Sequence, residues 1–86
     1  MRVARSKQFE EQYKKLTKKV QKQFADRLTL YLENKNNSLL DVHGLKGEFR
    51  GLWSFNVSAD VRVVVDDAYE GVIILVAIGS HSELYG

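Results

Sequence analysis

Cysteine is absent from this 86-residue chain, which excludes disulfides and thiolate metal sites and leaves the core to aliphatic and aromatic side chains. A reducing cytoplasm suits such a chain. Apolar stretches are short: none approaches the length needed to cross a bilayer, and Met1 to Lys7 leads into a charged amphipathic segment, not an apolar signal region. The sequence therefore reads as soluble, cytoplasmic and not exported. Histidine is scarce, with two copies, and neither His43 nor His81 stands at ligand spacing from the scattered acids, so no metal and no other cofactor is expected. Gly44 and Gly47 lack the Lys-Ser/Thr ending and the strand-loop-helix setting of a phosphate-binding P-loop. No internal repeat or low-complexity segment is present.

At this length one small domain spanning residues 1–86 is expected, with a thin margin between burial and chain entropy. The net charge of +2 conceals an asymmetry. Residues 1–50 carry twelve of the thirteen Lys and Arg against six acids, whereas residues 51–86 carry only Arg62 against five. The basic part suits a polyanion. Its cluster at Lys14, Lys15, Lys18, Lys19 and Lys22 would attract phosphates without regard to sequence, or is simply the solvated face of a helix.

Local patterns give the order of elements. Arg2 to Arg5 reads as a short edge strand. Ser6 offers an N-cap to a helix with Phe9, Tyr13 and Leu16 on its apolar face, and Thr17 caps a second, where Val20, Phe24, Leu28 and Leu32 recur every four residues beside Ala25 and Tyr31. The second helix should end near Asn34, at the loop chemistry of Asn34 to Ser38. Leu39 to Gly44 reads as an irregular connection. From Leu45 the period becomes two, with Phe49, Trp53, Phe55 and Val57 on one side and Glu48, Arg50, Leu52, Ser54 and Asn56 on the other, interrupted by Gly47 and Gly51 as a bulge or a close approach. A turn at Ser58 to Asp60 leads to a strand with Val61, Val63 and Val65 inward and Arg62 and Val64 outward. A loop at Asp66 to Gly71 precedes the last strand, Val72 to Ile78. The expected fold is α+β: a short N-terminal strand, a two-helix hairpin, then a three-stranded antiparallel meander, with the helices packed on one face of a mostly antiparallel sheet and the other face partly open.

That open face gathers the residues able to do chemistry. His81 follows the last strand, with Tyr85 four residues on: an imidazole that titrates near neutral pH beside a ring able to stack on a base, or a capped surface turn and a half-buried anchor. His43 precedes the first long strand and Asp60 sits in the hairpin. Metal-free RNA cleavage needs the 2′-hydroxyl deprotonated, the extra charge on phosphorus stabilised and the 5′-oxygen protonated as it leaves. His81 suits the general acid, since a neighbouring phosphate would keep it protonated. His43 suits the general base, or a phosphate ligand, or a loop residue bonded to backbone carbonyls. Asp60 either orients an imidazole or closes its own turn. Arg62 either grips phosphate in bidentate fashion or pairs with Glu48 across the sheet. Lys46 and Arg50 are placed to hold the nucleotide backbone, with plain solvation as the alternative.

His43-Gly44-Leu45-Lys46-Gly47, Arg50-Gly51-Leu52-Trp53, Asn56-Val57-Ser58-Ala59-Asp60-Val61-Arg62-Val63 and Ile78-Gly79-Ser80-His81-Ser82-Glu83-Leu84-Tyr85 together resemble the toxins of the RelE superfamily, and within it the YafQ branch. The resemblance covers nearly the whole chain. It implies a type II toxin that enters the ribosomal A site, cuts mRNA there as an endoribonuclease, and is silenced by a cognate antitoxin. His43 matches a catalytic histidine of the pattern, Asp60 its turn aspartate, His81 its terminal histidine and Tyr85 its terminal aromatic. Two positions depart: Asn56 stands where the pattern has histidine, and Ala77 where it has arginine. One loses a proton carrier and the other a cation for phosphate. The alternatives are a ParE-like gyrase inhibitor, against which the two histidines argue, and a weakened toxin kept as an antitoxin-binding module. An antitoxin covering the cationic groups is expected to be locally acidic.

Overall fold

The computed structural model describes all residues 1–86. The chain runs β1 (Arg2–Arg5), α1 (Lys7–Lys14), α2 (Lys18–Glu33), β2 (His43–Gly44), a 3-10 turn (Gly47–Phe49), β3 (Trp53–Asn56), β4 (Val61–Asp66), β5 (Val72–Ser80) and α3 (His81–Tyr85). The sheet order is β1-β5-β4-β3-β2, with β1 parallel to β5 and every other pair antiparallel. The N-caps are those the sequence signals: Ser6 Oγ accepts from Phe9 N at 3.0 Å and Thr17 Oγ1 from Val20 N at 3.2 Å. No helix is long and apolar enough to cross a membrane.

Strand β1 pairs with β5 only as far as Leu75. Beyond that point the helical layer supplies the missing partners: Ser6 Oγ donates to the Val76 carbonyl at 2.7 Å, and Gln12 Oε1 accepts from Ile78 N at 2.9 Å. Buried backbone groups are thus satisfied by α1 and its cap where no strand lies alongside. A register shift opposite Val64 and Val65 inserts an extra residue in β5. Its alternation therefore resets, so that Leu75 and Ile78 both face the helices while Val76 and Ala77 face the other way.

The main core lies between the helices and the sheet, where Phe9, Phe24, Tyr31, Leu40, Phe55, Val63 and Leu75 are among the buried members. Tyr31 stacks on Phe55 at 5.0 Å, and Phe9 meets Phe24 at 5.5 Å. A second, smaller cluster occupies the opposite face: Val64, Ala77 and Leu84, with Leu45, Phe49, Leu52, Val76 and Tyr85 against them. The face expected to be partly open is thus largely roofed by α3 and the segment from Leu45 to Leu52.

Three expectations are corrected. The long strand from Leu45 begins only at Trp53, because Gly47 (φ 69°) and Gly51 (φ 89°) adopt left-handed conformations that turn the chain. Phe49 consequently packs on the second cluster and not beside Phe55. Leu32, placed on the apolar face of α2, is 42% exposed; Tyr31 takes the buried position. The stretch expected to be wholly irregular, Leu39 to Gly44, contains the two-residue edge strand β2.

Candidate functional site

Segments far apart in sequence meet on the face opposite α1 and α2. His43, on β2, lies directly across from Ser54 on β3, and facing residues of an antiparallel pair send their side chains to the same side. Ser54 is fully buried there, and the Tyr85 hydroxyl donates to its Oγ at 3.1 Å. The Tyr85 ring meets His81 edge-on at 4.8 Å between centroids and Phe49 at 6.1 Å. The same row continues across the sheet from Ser54 to Val64 and Ala77. Strand register thus sets His43 on the side of Ser54, and the Ser54–Tyr85 bond with the Tyr85–His81 ring contact sets His81 toward the same face.

Helix α3 sets the position of His81. Ser80 Oγ accepts from Glu83 N at 3.1 Å and the Glu83 carboxylate accepts from Ser80 N at 2.7 Å, a reciprocal capping box. The Ser80 backbone amide, helped by the Ser80 hydroxyl, holds the Glu83 carboxyl below its ordinary range; slight burial opposes this and the Lys15 charge adds to it. Gly79 lets the helix fold down on β5, since a Cβ there would stand 3.2 Å from Glu83 Oε1 and 3.6 Å from Leu84 Cδ2. A further hydrogen bond, His81 N to the Asp60 carbonyl at 3.0 Å, ties the start of α3 to the β3–β4 hairpin.

The His43 ring is exposed, and its Nδ1 lies 2.8 Å from the Asp41 carbonyl oxygen. A carbonyl can only accept, so this bond requires the proton on Nδ1 and leaves Nε2 of the neutral ring as the basic nitrogen. Asp41 itself has a left-handed φ of 47°, a conformation that aspartate tolerates better than most residues.

Asp60 contributes its backbone carbonyl to His81 while its side chain is exposed. Arg62 folds back on its own hairpin, with Nη1 donating to the Ser58 and Val61 carbonyls at 2.8 and 3.1 Å and Nη2 to the Ala59 carbonyl at 3.2 Å. Part of its donor set is thereby occupied in holding the turn. The alternative pairing with Glu48 is not formed, because the one side-chain ion pair of the structure is Lys35–Asp67. Arg50 is corrected from a strand position to the end of the 3-10 turn, where it is exposed. Lys46 opens that turn and lines a groove of about 400 Å³ with Phe49 and Tyr85. Tyr85 is held at its hydroxyl and at two ring edges. Asn56 projects on the same face as Ser54, with its Oδ1 buried and unpartnered, and Ala77 is fully buried. No three His, Asp or Glu side chains come together as a metal site.

Ser54 is the residue that sequence reasoning left without a role. Its signal was a small polar residue between Trp53 and Phe55, on the same side as Asn56.

Comparison with known proteins decides the family. The profile described as "Bacterial toxin of type II toxin-antitoxin system, YafQ" matches residues 1–86. The chain belongs to the YafQ family of bacterial type II toxins. Among solved structures, YafQ from E. coli strain BL21(DE3) superposes with a TM-score of 0.81 at 19% identity, covering 100% of both chains. YafQ in the E. coli DinJ–YafQ toxin–antitoxin complex gives 0.79 at 19% identity over 98% of this chain and 96% of that one. A YoeB/ParE toxin from Agrobacterium tumefaciens gives 0.78 at 18%, over 94% and 99%. At these identities the superpositions establish the fold; membership of the YafQ family rests on the full-length profile match. No curated protein matches the sequence significantly.

Proposed function

We propose that this YafQ-family toxin is a ribosome-dependent endoribonuclease that cuts mRNA by metal-free general acid–base catalysis in the cytoplasm and is silenced by a cognate, locally acidic antitoxin. The observation that carries this reading is the link from His43 through Ser54 and Tyr85 to His81 on one face of the sheet. His43, with Nδ1 committed to the Asp41 carbonyl, offers Nε2 to take the proton of the 2′-hydroxyl. That oxygen then attacks phosphorus, the bond to the 5′-oxygen breaks, and His81 protonates the leaving oxygen. Asp60, one hydrogen bond from the His81 backbone, steadies the start of α3. Lys46 and Arg50, both exposed beside this face, neutralise the phosphates of the entering strand, and the free donors of Arg62 add to them. Tyr85 holds His81 and presents what remains of its ring to a base.

The test is truncation of mRNA in a purified translation reaction. Wild type should cut and His81→Ala should lose at least about tenfold, since positioned acid–base groups contribute on the order of 10² to 10⁴. A mutant that cuts as well as wild type refutes the assignment. The buried, unpartnered Asn56 Oδ1 and the buried Ala77 favour a second reading, a weakened toxin that persists as an antitoxin-binding protein. Growth arrest on induction of the wild-type chain would eliminate it.

A further inference from the structure

Two hollows meet at the end of the molecule formed by the last turn of α2 and the β4–β5 loop. The first, of about 410 Å³, is walled by Tyr31, Trp53, Asp41, Asp67 and Lys35. The second, of about 500 Å³, shares Tyr31, Lys35 and Asp67 and continues past Leu32 and Tyr69. Ser54, His81 and Tyr85 line neither hollow; Asp41 lines the first and touches the other site through its backbone carbonyl, which bonds His43 Nδ1. Their walls combine features that a bare protein surface does not need. Trp53 is 41% exposed, and Leu32 and Tyr69 are 42% and 58% exposed. Tyr31 is only 4% exposed yet lines both hollows, and no hydrogen bond within the protein holds its hydroxyl. Its ionisation is pushed up by burial and then by the Asp67 carboxylate, so it stays a neutral phenol facing an acid.

The charge of the first hollow is set by two carboxylates and one ammonium. Lys35 stands 4.0 Å from Asp67 with its side chain 60% exposed, a contact at the outer limit for an ion pair and worth little. An anion such as RNA is repelled here. A planar cation is suited by the chemistry of the lining: a partly exposed indole for stacking, two carboxylates for charge-assisted hydrogen bonds and a phenol as a further acceptor. We propose that this hollow receives an arginine side chain from an extended segment of a protein partner, whose neighbouring apolar side chain lies along Leu32 and Tyr69. Guanidinium fits better than ammonium because its flat, delocalised charge uses the indole face and the forked acceptors together. The continuation into the second hollow selects a peptide over free arginine.

Trp53 is the sole tryptophan, so its emission reports occupancy directly. The experiment titrates the full chain with the capped tripeptide Leu-Arg-Leu and with counterparts carrying citrulline or glutamate at the centre. Leu-Arg-Leu should give a saturable change in emission. Citrulline should weaken binding at least tenfold, as should Asp67→Asn and Asp41→Asn, since a hydrogen bond to a charged group is worth about 1.5–3 kcal/mol, or more than tenfold. Lys35→Ala should tighten binding by removing the competing cation. Equal binding of the arginine and citrulline peptides, or unchanged affinity in both carboxylate variants, overturns the proposal. Because the readout is binding and not cleavage, this result is independent of the nuclease assay.

Discussion

The contact between Tyr85 and Ser54 gives the sharpest test of how the functional face is assembled. Ser54 is fully buried and Tyr85 is partly exposed, so the two ends of the hydrogen bond are not equivalent. Tyr85→Phe strands a buried hydroxyl, which costs about 1–3 kcal/mol. Ser54→Ala leaves the phenol able to turn to water and should cost no more than the net value of one bond, about 0.5–1.5 kcal/mol. The double variant removes both partners, so its cost should fall well below the sum of the two. For a chain of this size each kcal/mol lowers Tm by about 4–8 °C. Thermal unfolding of the four proteins therefore gives an ordering, with Tyr85→Phe lowest, and a favourable coupling in the double-mutant cycle. If Ser54→Ala is the more damaging single change, or if the two effects add, the contact does not hold α3 to the sheet as described.

Three further outcomes follow from particular residues. Asn56→His, which restores the pattern residue, should raise mRNA cleavage in the translation assay by about tenfold or more if it supplies a second proton carrier; no increase would mean that the buried Oδ1 position is closed to substrate. Ala77→Arg, by contrast, should destabilise by about 1–3 kcal/mol in denaturant titration, because it overfills a fully buried site against Val64 and Leu84. Glu83 supplies a pH dependence with a definite sign: its folded-state pKa is depressed, so its contribution is complete above the ordinary carboxylate range and is lost as pH falls through the lower, folded value. Proton NMR of the His81 and Tyr85 rings should report fraying of α3 in that acid window, and Glu83→Gln should keep the cap bond yet lose most of this dependence.

How far the sequence could be read depends on how local each signal was. Ser6 and Thr17 announced the two helix starts because an N-cap is decided by a hydroxyl and its next three residues. Val61, Val63 and Val65 announced the helix-facing side of β4 because period two is a property of the strand alone. The segment from Leu45 to Leu52 misled for the same reason: its alternation was real, but two glycines with positive φ turned the chain before a strand could form. The tail after Ile78 carries a legible capping box, Ser80-x-x-Glu83, which marks a helix start but not the contacts that lay the five-residue helix over the sheet. At the candidate site His43, Asp60, His81 and Tyr85 were all visible as residues. What joins them was not, because the pairing of His43 with Ser54 and of Ser54 with Tyr85 depends on strand register and on the extra residue in β5, neither of which one sequence displays.

One departure from the YafQ pattern, Ala77, takes on a physical meaning once α3 is in place. Ala77 lies beneath Leu84, and Gly79 beneath Glu83, so the strand that supports His81 carries small residues where the helix presses closest. A long cation at residue 77 would compete for the space that seats α3, and through it His81. This chain keeps the close seat, and under the proposed nuclease reading positive charge for a phosphate would come from the rim: Lys46 and Arg50 around the 3-10 turn, and the donors of Arg62 not spent on its hairpin. Exposed cations such as Lys46 and Arg50 are screened by salt, so they strengthen binding of a polyanion more than they stabilise charge at one phosphorus. The consequence is testable in the form of the kinetics: Lys46→Ala and Arg50→Ala should raise KM for mRNA and steepen with lower salt, whereas His81→Ala should act on kcat. Were the rim variants to lower kcat alone, the charge-stabilising role would have to be returned to them.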